Sequence, residues 1–93
     1  MPIASFKCPD TQRFFETGSQ RNFTNIRSPL SRKLSLLDEA TCLADLRALP
    51  GNHLEELTGD RQGQHSSRVN DQFRLCFVWT PDGPTDVECV DYH

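Results

Sequence analysis

Five side chains in the last third of the chain belong to types that act on phosphate esters: Arg61, Arg68, Arg74, Tyr92 and His93. A guanidinium group binds phosphate oxygens through charge-assisted hydrogen bonds and stabilises the added negative charge of a phosphoryl transition state. A histidine titrates near neutral pH, so the terminal Tyr92-His93 pair could supply a general acid or base. RNA cleavage needs only these parts, because the ribose 2′-hydroxyl is the nucleophile. Taken singly, a strand arginine is more often solvated, and a terminal histidine more often frayed, than functional.

Other chemistry has little support in the sequence. The chain contains no Walker loop, no nucleophile elbow, no HExxH helix and no dinucleotide fingerprint. Its four cysteines are Cys8, Cys42, Cys76 and Cys89. They form no CxxC pair and have no neighbouring histidine ligands, so we interpret them as structural or incidental thiols rather than as a disulfide or zinc framework. His53 and His65 are further candidates for chemistry, and we expect no metal and no cofactor.

The turn before residue 73 decides whether the two strand arginines lie side by side. A two-residue loop at Asn70-Asp71 would pair Arg68 with Phe73, whereas a three-residue loop pairs Val69 with Phe73 and Arg68 with Arg74. We favour the three-residue loop because it buries the two apolar residues together. Two adjacent guanidinium groups repel each other, and an anion between them relieves that repulsion. This register therefore suggests a phosphate site.

The second half of the chain is patterned as a β-sheet. From His65 onward the apolar residues recur with period two, and Phe73, Leu75, Phe77 and Trp79 share one face of a strand. Turn residues at 80–84 lead into a further strand at 85–92. The sequence thus predicts a β-hairpin at the end of the chain.

The first half is patterned mainly as helix, after an edge strand at residues 1–6. A short helix is predicted at 11–17, capped by Asp10, closed by Gly18 and burying Phe14 and Phe15. A loop follows at 18–26, and Ser28-Pro29 is expected to start a longer helix with an apolar stripe. The stripe residues are Leu30, Leu34, Leu36, Leu37 and Ala40. Thr41 is predicted to cap a turn carrying Leu43 and Leu46, with Pro50-Gly51 ending helical structure.

Length and charge limit the kind of protein this is. Ninety-three residues make one α+β domain, spanning residues 1–93, whose site must be a shallow surface. The net charge is −3, but residues 1–35 carry six basic residues against two acidic ones. This basic first third either faces phosphate or is simply solvated, the second being slightly favoured. The apolar runs are too short to span a membrane and no secretory signal is visible, so we expect a cytoplasmic protein.

Several motifs together resemble the HigB toxins of the RelE superfamily, which belong to bacterial toxin–antitoxin systems. They are Gly59-Asp60-Arg61, Arg68-Val69-Asn70-Asp71, the strand residue Arg74 and the ending Asp91-Tyr92-His93. The wider stretch 50–77, the ending 87–93 and the opening segments 5–7 and 14–18 also fit. The resemblance covers nearly the whole chain, and the combination of motifs is specific although no single one is.

The resemblance implies a fold, an activity and partners. The fold is the RelE-like, microbial-ribonuclease type, with N-terminal helices packed on a curved antiparallel sheet. The activity is ribosome-dependent, metal-independent cleavage of messenger RNA, neutralised by a helix-turn-helix antitoxin of the HigA type through which alone operator DNA is contacted. Catalytic roles carry over to Arg68, Arg74, Tyr92 and His93. RNA-binding roles fall on three further residues, namely Arg61, His65 and Phe73.

Two departures from the family pattern keep an alternative open. Thr58 stands where relatives typically place a lysine before Gly-Asp-Arg, and a hydroxyl cannot supply that fixed charge. His65 and Phe73 stand where tryptophan or tyrosine is frequent, although both rings can still stack on a base. The alternative is a non-catalytic protein of the same fold, either a gyrase poison like the related ParE toxins or a co-repressor acting with the antitoxin. The terminal Tyr92-His93 and the paired arginines favour the enzyme.

Overall fold

The computed structural model describes residues 2–91, apart from the side chain of Pro50. The helices are α1 (Pro9–Thr17), α2 (Arg27–Glu39) and α3 (Leu43–Arg47), and short 3-10 turns cover Arg21–Ile26, Pro50–Asn52 and Gly59–Arg61. The strands are β1 (Glu55–Glu56), β2 (His65–Arg68), β3 (Phe73–Thr80) and β4 (Gly83–Asp91). No helix of this described range is long and apolar enough to cross a membrane.

The strands form one antiparallel sheet in the order β1-β2-β3-β4, which confirms the predicted α+β class and the closing hairpin. The N-terminal segment lies along the free edge of β4, where Phe6 forms a parallel bridge with Val87. The amide of Ala4 also donates to the carbonyl of Pro84 at 2.8 Å. The predicted edge strand is therefore at the edge of the sheet, but it pairs too briefly to be a regular strand.

The core lies between the helices and one face of the sheet. Leu30, Leu34 and Leu37 of the predicted stripe are at most 1% exposed, and Leu75 and Phe77 of β3 are fully buried with them. Burying each such side chain stabilises the fold by roughly 1.5–3 kcal/mol. The apolar residues recur about every 3.6 positions in α2 and every second position in β3, so both elements present them to one shared core.

Helix boundaries differ from the predictions. Helix α1 begins at Pro9, so Asp10 lies inside it rather than capping it. Helix α2 continues directly from the 3-10 turn before it, so Ser28 does not cap it. Phe14 is buried, whereas Phe15 is 37% exposed and packs beside the ring of Phe6. Consecutive helical residues point about 100° apart, and here the ring of Phe14 faces the core while that of Phe15 does not.

A buried hydroxyl joins α1 to the sheet. The Oγ1 atom of Thr11, a fully buried residue, accepts the backbone N–H of Cys89 at 3.0 Å. We expect Thr11→Val to lower the free energy of unfolding by about 1–3 kcal/mol, because it leaves that N–H buried without an acceptor. Urea denaturation measures the change. Thr11→Ser keeps the hydroxyl and is the matched control; equal losses in both variants would assign the effect to packing instead.

Candidate active site

The two strand arginines are cross-strand neighbours. Arg68 of β2 pairs with Arg74 of β3, and the amide of Val69 donates to the carbonyl of Phe73 at 3.0 Å. In the turn between them, the side chain of Asn70 accepts the backbone N–H of Phe73 at 2.7 Å. The three-residue loop and its register are therefore as predicted.

This register defines one face of the sheet, which we call the arginine face. Cross-strand partners point to the same side of a sheet, so the pairs Arg68–Arg74, Ser66–Cys76 and Cys76–Glu88 place five side chains together. The helices cover the opposite face. Ser66 and Cys76 are fully buried on this face, whereas the side chain of Arg68 is 39% exposed, so the face meets solvent at its arginine end.

Arg74 is held in a fixed orientation by neutral acceptors. Its Nε donates to the hydroxyl of Ser66 at 2.8 Å, and its Nη2 donates to the carbonyls of His53 at 2.6 Å and Ser66 at 3.3 Å. His53 adopts left-handed backbone angles, with φ 43° and ψ 54°, as it presents this carbonyl. Each of these three acceptors is neutral, and together they fix the orientation in which the guanidinium group would meet an anion.

Arg68 is tied less firmly. It forms an ion pair with Asp71, whose side chain is 93% exposed. An exposed ion pair of this kind contributes little, at most about 1 kcal/mol. A phosphate group could therefore take the place of the Asp71 carboxylate at small cost. The predicted pairing of the two arginines is confirmed, and an anion shared between them stays a prediction. In this structure the Asp71 carboxylate pairs with Arg68.

Arg61 reaches the arginine face from the turn before β2. Its Nη1 donates to Glu88 at 2.8 Å and to the side chain of Gln64 at 3.2 Å, and Lys7 lies 3.8 Å from the same carboxylate. Glu88 is only 14% exposed. Neither Glu88 nor Lys7 is among the site residues predicted from the sequence, although a lone acid within the apolar run from Val87 to Val90 indicates a buried partner.

Two buried thiols of the sheet are held in the neutral form, Cys76 on the arginine face and Cys89 on the opposite face. All four cysteines are free. Burial raises the pKa of Cys76, although Arg61 and Arg74 lower it in part, and burial raises the pKa of Cys89 to about 12. At neutral pH neither thiol is therefore a nucleophile. Within residues 2–91 no cluster of three or more His, Cys, Asp or Glu side chains could hold a metal ion.

The aromatic candidates lie on the other face. His65 pairs with Phe77, and their rings stack with centroids 6.2 Å apart. Phe73 meets the ring of Phe23 edge to face at 6.5 Å and packs against the core. The structure does not bring His65 or Phe73 to the two arginines.

The terminal candidates Tyr92 and His93 lie outside the described residues. They follow Asp91, the last residue of β4, in the sequence. Asp91 pairs with Phe73 across the sheet, and its carboxylate accepts a hydrogen bond from Gln72 at 2.9 Å. The described part of β4 thus ends beside the turn that connects Arg68 to Arg74.

Comparisons with known proteins agree with this architecture. The fold is similar to that in the YoeB-YefM complex from Staphylococcus aureus, with a TM-score of 0.59 and 16% identity over 100% of this chain and 99% of the other. In sequence, the chain is 41% identical to Toxin HigB-1 of Vibrio cholerae serotype O1 over 90 residues, covering 95% of this chain and 94% of that one. It is also 36% identical over 69 residues to an uncharacterised protein of Haemophilus influenzae, covering 72% and 68% of the two chains.

The fold, with helices packed against a four-stranded antiparallel sheet, is of the RelE-like type. Residues 4–93 match the family model described as the RelE-like toxin of type II toxin–antitoxin system HigB. The chain belongs to this family and is the toxin component of a type II toxin–antitoxin system.

Proposed function

We propose that this toxin is an endoribonuclease that cleaves messenger RNA on the ribosome and thereby inhibits translation and growth. The observation that carries the proposal is the side-by-side placement of Arg68 and Arg74 on an open face. Paired guanidinium groups fit the non-bridging oxygens of a phosphodiester and the charge that develops on them. Membership of the HigB family supports the same activity.

The reaction follows from the chemistry of RNA. The 2′-oxygen attacks the adjacent phosphorus as the bond from phosphorus to the 5′-oxygen breaks. Arg74, already oriented by Ser66 and His53, binds a non-bridging oxygen, and Arg68 exchanges Asp71 for the phosphate. Tyr92 and His93 take the proton of the 2′-hydroxyl and protonate the leaving 5′-oxygen. This scheme requires no metal ion.

An open face on an acidic chain explains why a ribosome would be needed. Affinity for free RNA comes mainly from neutralising many phosphates, and a chain of net charge −3 does so weakly. Correct alignment of the 2′-oxygen with the phosphorus must then come from a partner that already holds the messenger RNA in place. The ribosome is such a partner.

The remaining partner is a cognate antitoxin of the HigA-like, helix-turn-helix type. Neutralisation requires it either to cover the arginine face or to prevent access to the ribosome. We expect operator DNA to be contacted only through this antitoxin, and no contact with membranes.

Mapping the 5′ ends of cellular RNA after induction tests the proposal. Cuts clustered inside translated reading frames are the expected result. Intact messages accompanied by DNA damage would instead indicate that the protein is a gyrase poison. Intact messages without damage would leave the co-repressor role.

Thr58 allows a gain-of-function test. It precedes the Gly59–Arg61 turn, which delivers Arg61 to the arginine face, and it is exposed. We expect Thr58→Lys to increase messenger-RNA cleavage on isolated ribosomes about tenfold, because an added cation near the scissile phosphate favours the transition state. Thr58→Gln, of similar length and no charge, is the control. Equal or slower cleavage by the lysine variant would show that residue 58 does not border the site.

A further inference from the structure

A further cation, on α2, is hydrogen-bonded to the loop that orients Arg74. Lys33 of α2 donates to the side-chain oxygen of Asn52 at 2.5 Å. Asn52 is 1% exposed, and its amide nitrogen donates to the carbonyl of Leu46 at 3.1 Å. The next residue, His53, accepts from Arg74. Lys33 and Arg74 therefore donate hydrogen bonds to two consecutive residues, Asn52 and His53, whose Cα atoms are about 3.8 Å apart.

Among the described residues, no carboxylate forms an ion pair with Lys33. Partial burial, Arg32 and Arg68 all lower the pKa of Lys33, so the cations of α2 and β2 act on each other. Desolvating a cation without a carboxylate costs free energy, and a hydrogen bond to a neutral amide offsets only part of that cost. A bound anion would supply the missing balance.

We propose that Lys33, supported by Arg32, binds a second RNA phosphate, adjacent to the one held by Arg68 and Arg74. This inference rests on the proposed function and names a substrate contact outside the sheet. The loop through Asn52 and His53 then places two phosphate contacts together, so that the strand is held on both sides of one nucleotide. An RNA strand fits this arrangement because its phosphates repeat at regular spacing along a flexible backbone.

A simpler role for Lys33 is to fix the loop through Asn52. The two roles differ in salt dependence. A phosphate contact releases counterions, and each one contributes about −0.7 to the slope of log affinity against log salt concentration for single strands. A purely structural contact does not change that slope.

The test is binding of a short, fully 2′-O-methylated RNA oligonucleotide, which keeps its phosphates but cannot be cleaved. Fluorescence anisotropy over a series of salt concentrations gives the slope for the wild type and for Lys33→Met, Lys33→Gln and Lys33→Arg. We expect the two neutral variants to reduce the magnitude of the slope by about 0.7, and the arginine variant to retain it. Arg13→Met, on the exposed side of α1, is the matched control and should also retain it.

Two outcomes would overturn the inference: a slope in the folded neutral variants equal to that of the wild type, or no binding by the wild type at low salt. Circular dichroism establishes which variants are folded, and Lys33→Gln replaces Lys33→Met if the latter is not. Cleavage by the wild type on translating ribosomes is measured separately. A protein that cuts but shows no Lys33 effect refutes this inference alone, and one that shows the effect but does not cut refutes the proposed function.

Discussion

Arg74→Ala is expected to abolish growth inhibition and to slow messenger-RNA cleavage on ribosomes by about 30- to 900-fold. The range corresponds to roughly 2–4 kcal/mol of transition-state stabilisation, the usual loss when one preorganised donor is removed. Arg74 is preorganised by Ser66 and His53, so its orientation is set before RNA arrives. Arg68→Ala should also remove toxicity, because the pair acts on one phosphate.

Three variants separate the contributions to this effect. Arg74→Lys keeps the charge but loses the fork geometry, so it should be intermediate in rate. Asp71→Asn frees Arg68 from its carboxylate and should strengthen RNA binding. Arg13→Ala, an exposed arginine of α1, should change nothing. If purified, folded Arg68→Ala and Arg74→Ala both cut RNA at the wild-type rate, the phosphate site lies elsewhere.

The register of the arginine pair was predictable because it depends on local rules. Pairing Val69 with Phe73 buries apolar surface, and Asn70 is a residue type that closes a turn with its own side chain. The same period-two rule places Phe73 and Arg74 on opposite faces. Phe73 could therefore have been excluded from the arginine face by sequence alone, and His65 follows once its register with Phe77 is known.

The parts that were missed depend on contacts distant in sequence. Arg74 is oriented by a carbonyl of His53, 21 residues earlier, and Arg61 by Glu88, 27 residues later. The cation at Lys33 comes from a helix whose buried stripe identified it only as core. No local pattern specifies such contacts, since they arise when the helices and the loop at 50–53 pack around the sheet. The predicted caps of α1 and α2 were wrong because both helices begin earlier in the sequence, at Pro9 and Arg27.

Among the titratable groups that residues 2–91 place at the arginine face, Asp71 pairs with Arg68. The carboxylate of Glu88 is engaged by Arg61 and Lys7, and burial raises the pKa of the Cys76 thiol. His53 is exposed and borders the site, but what it gives to Arg74 is its backbone carbonyl. Tyr92 and His93 are therefore the groups to which we assign the acid and base roles.

Deleting Tyr92 and His93 is expected to slow cleavage by at least about 10²-fold while leaving the domain folded, since general acid–base catalysis contributes about 10²–10⁴-fold. The core of the described residues runs from Phe14 to Cys89, and we expect circular dichroism and urea denaturation of the truncated chain to match the wild type. His93→Ala alone should cause most of the decrease in cleavage rate. It should also remove the change of rate with pH near neutrality. His53→Ala is the matched control and should keep the pH dependence near neutrality.

If the folded truncation still cuts a translated message in a primer-extension assay, His93 is neither acid nor base. If His53→Ala instead loses the pH dependence near neutrality, the group that transfers the proton is His53, in the loop that holds Arg74.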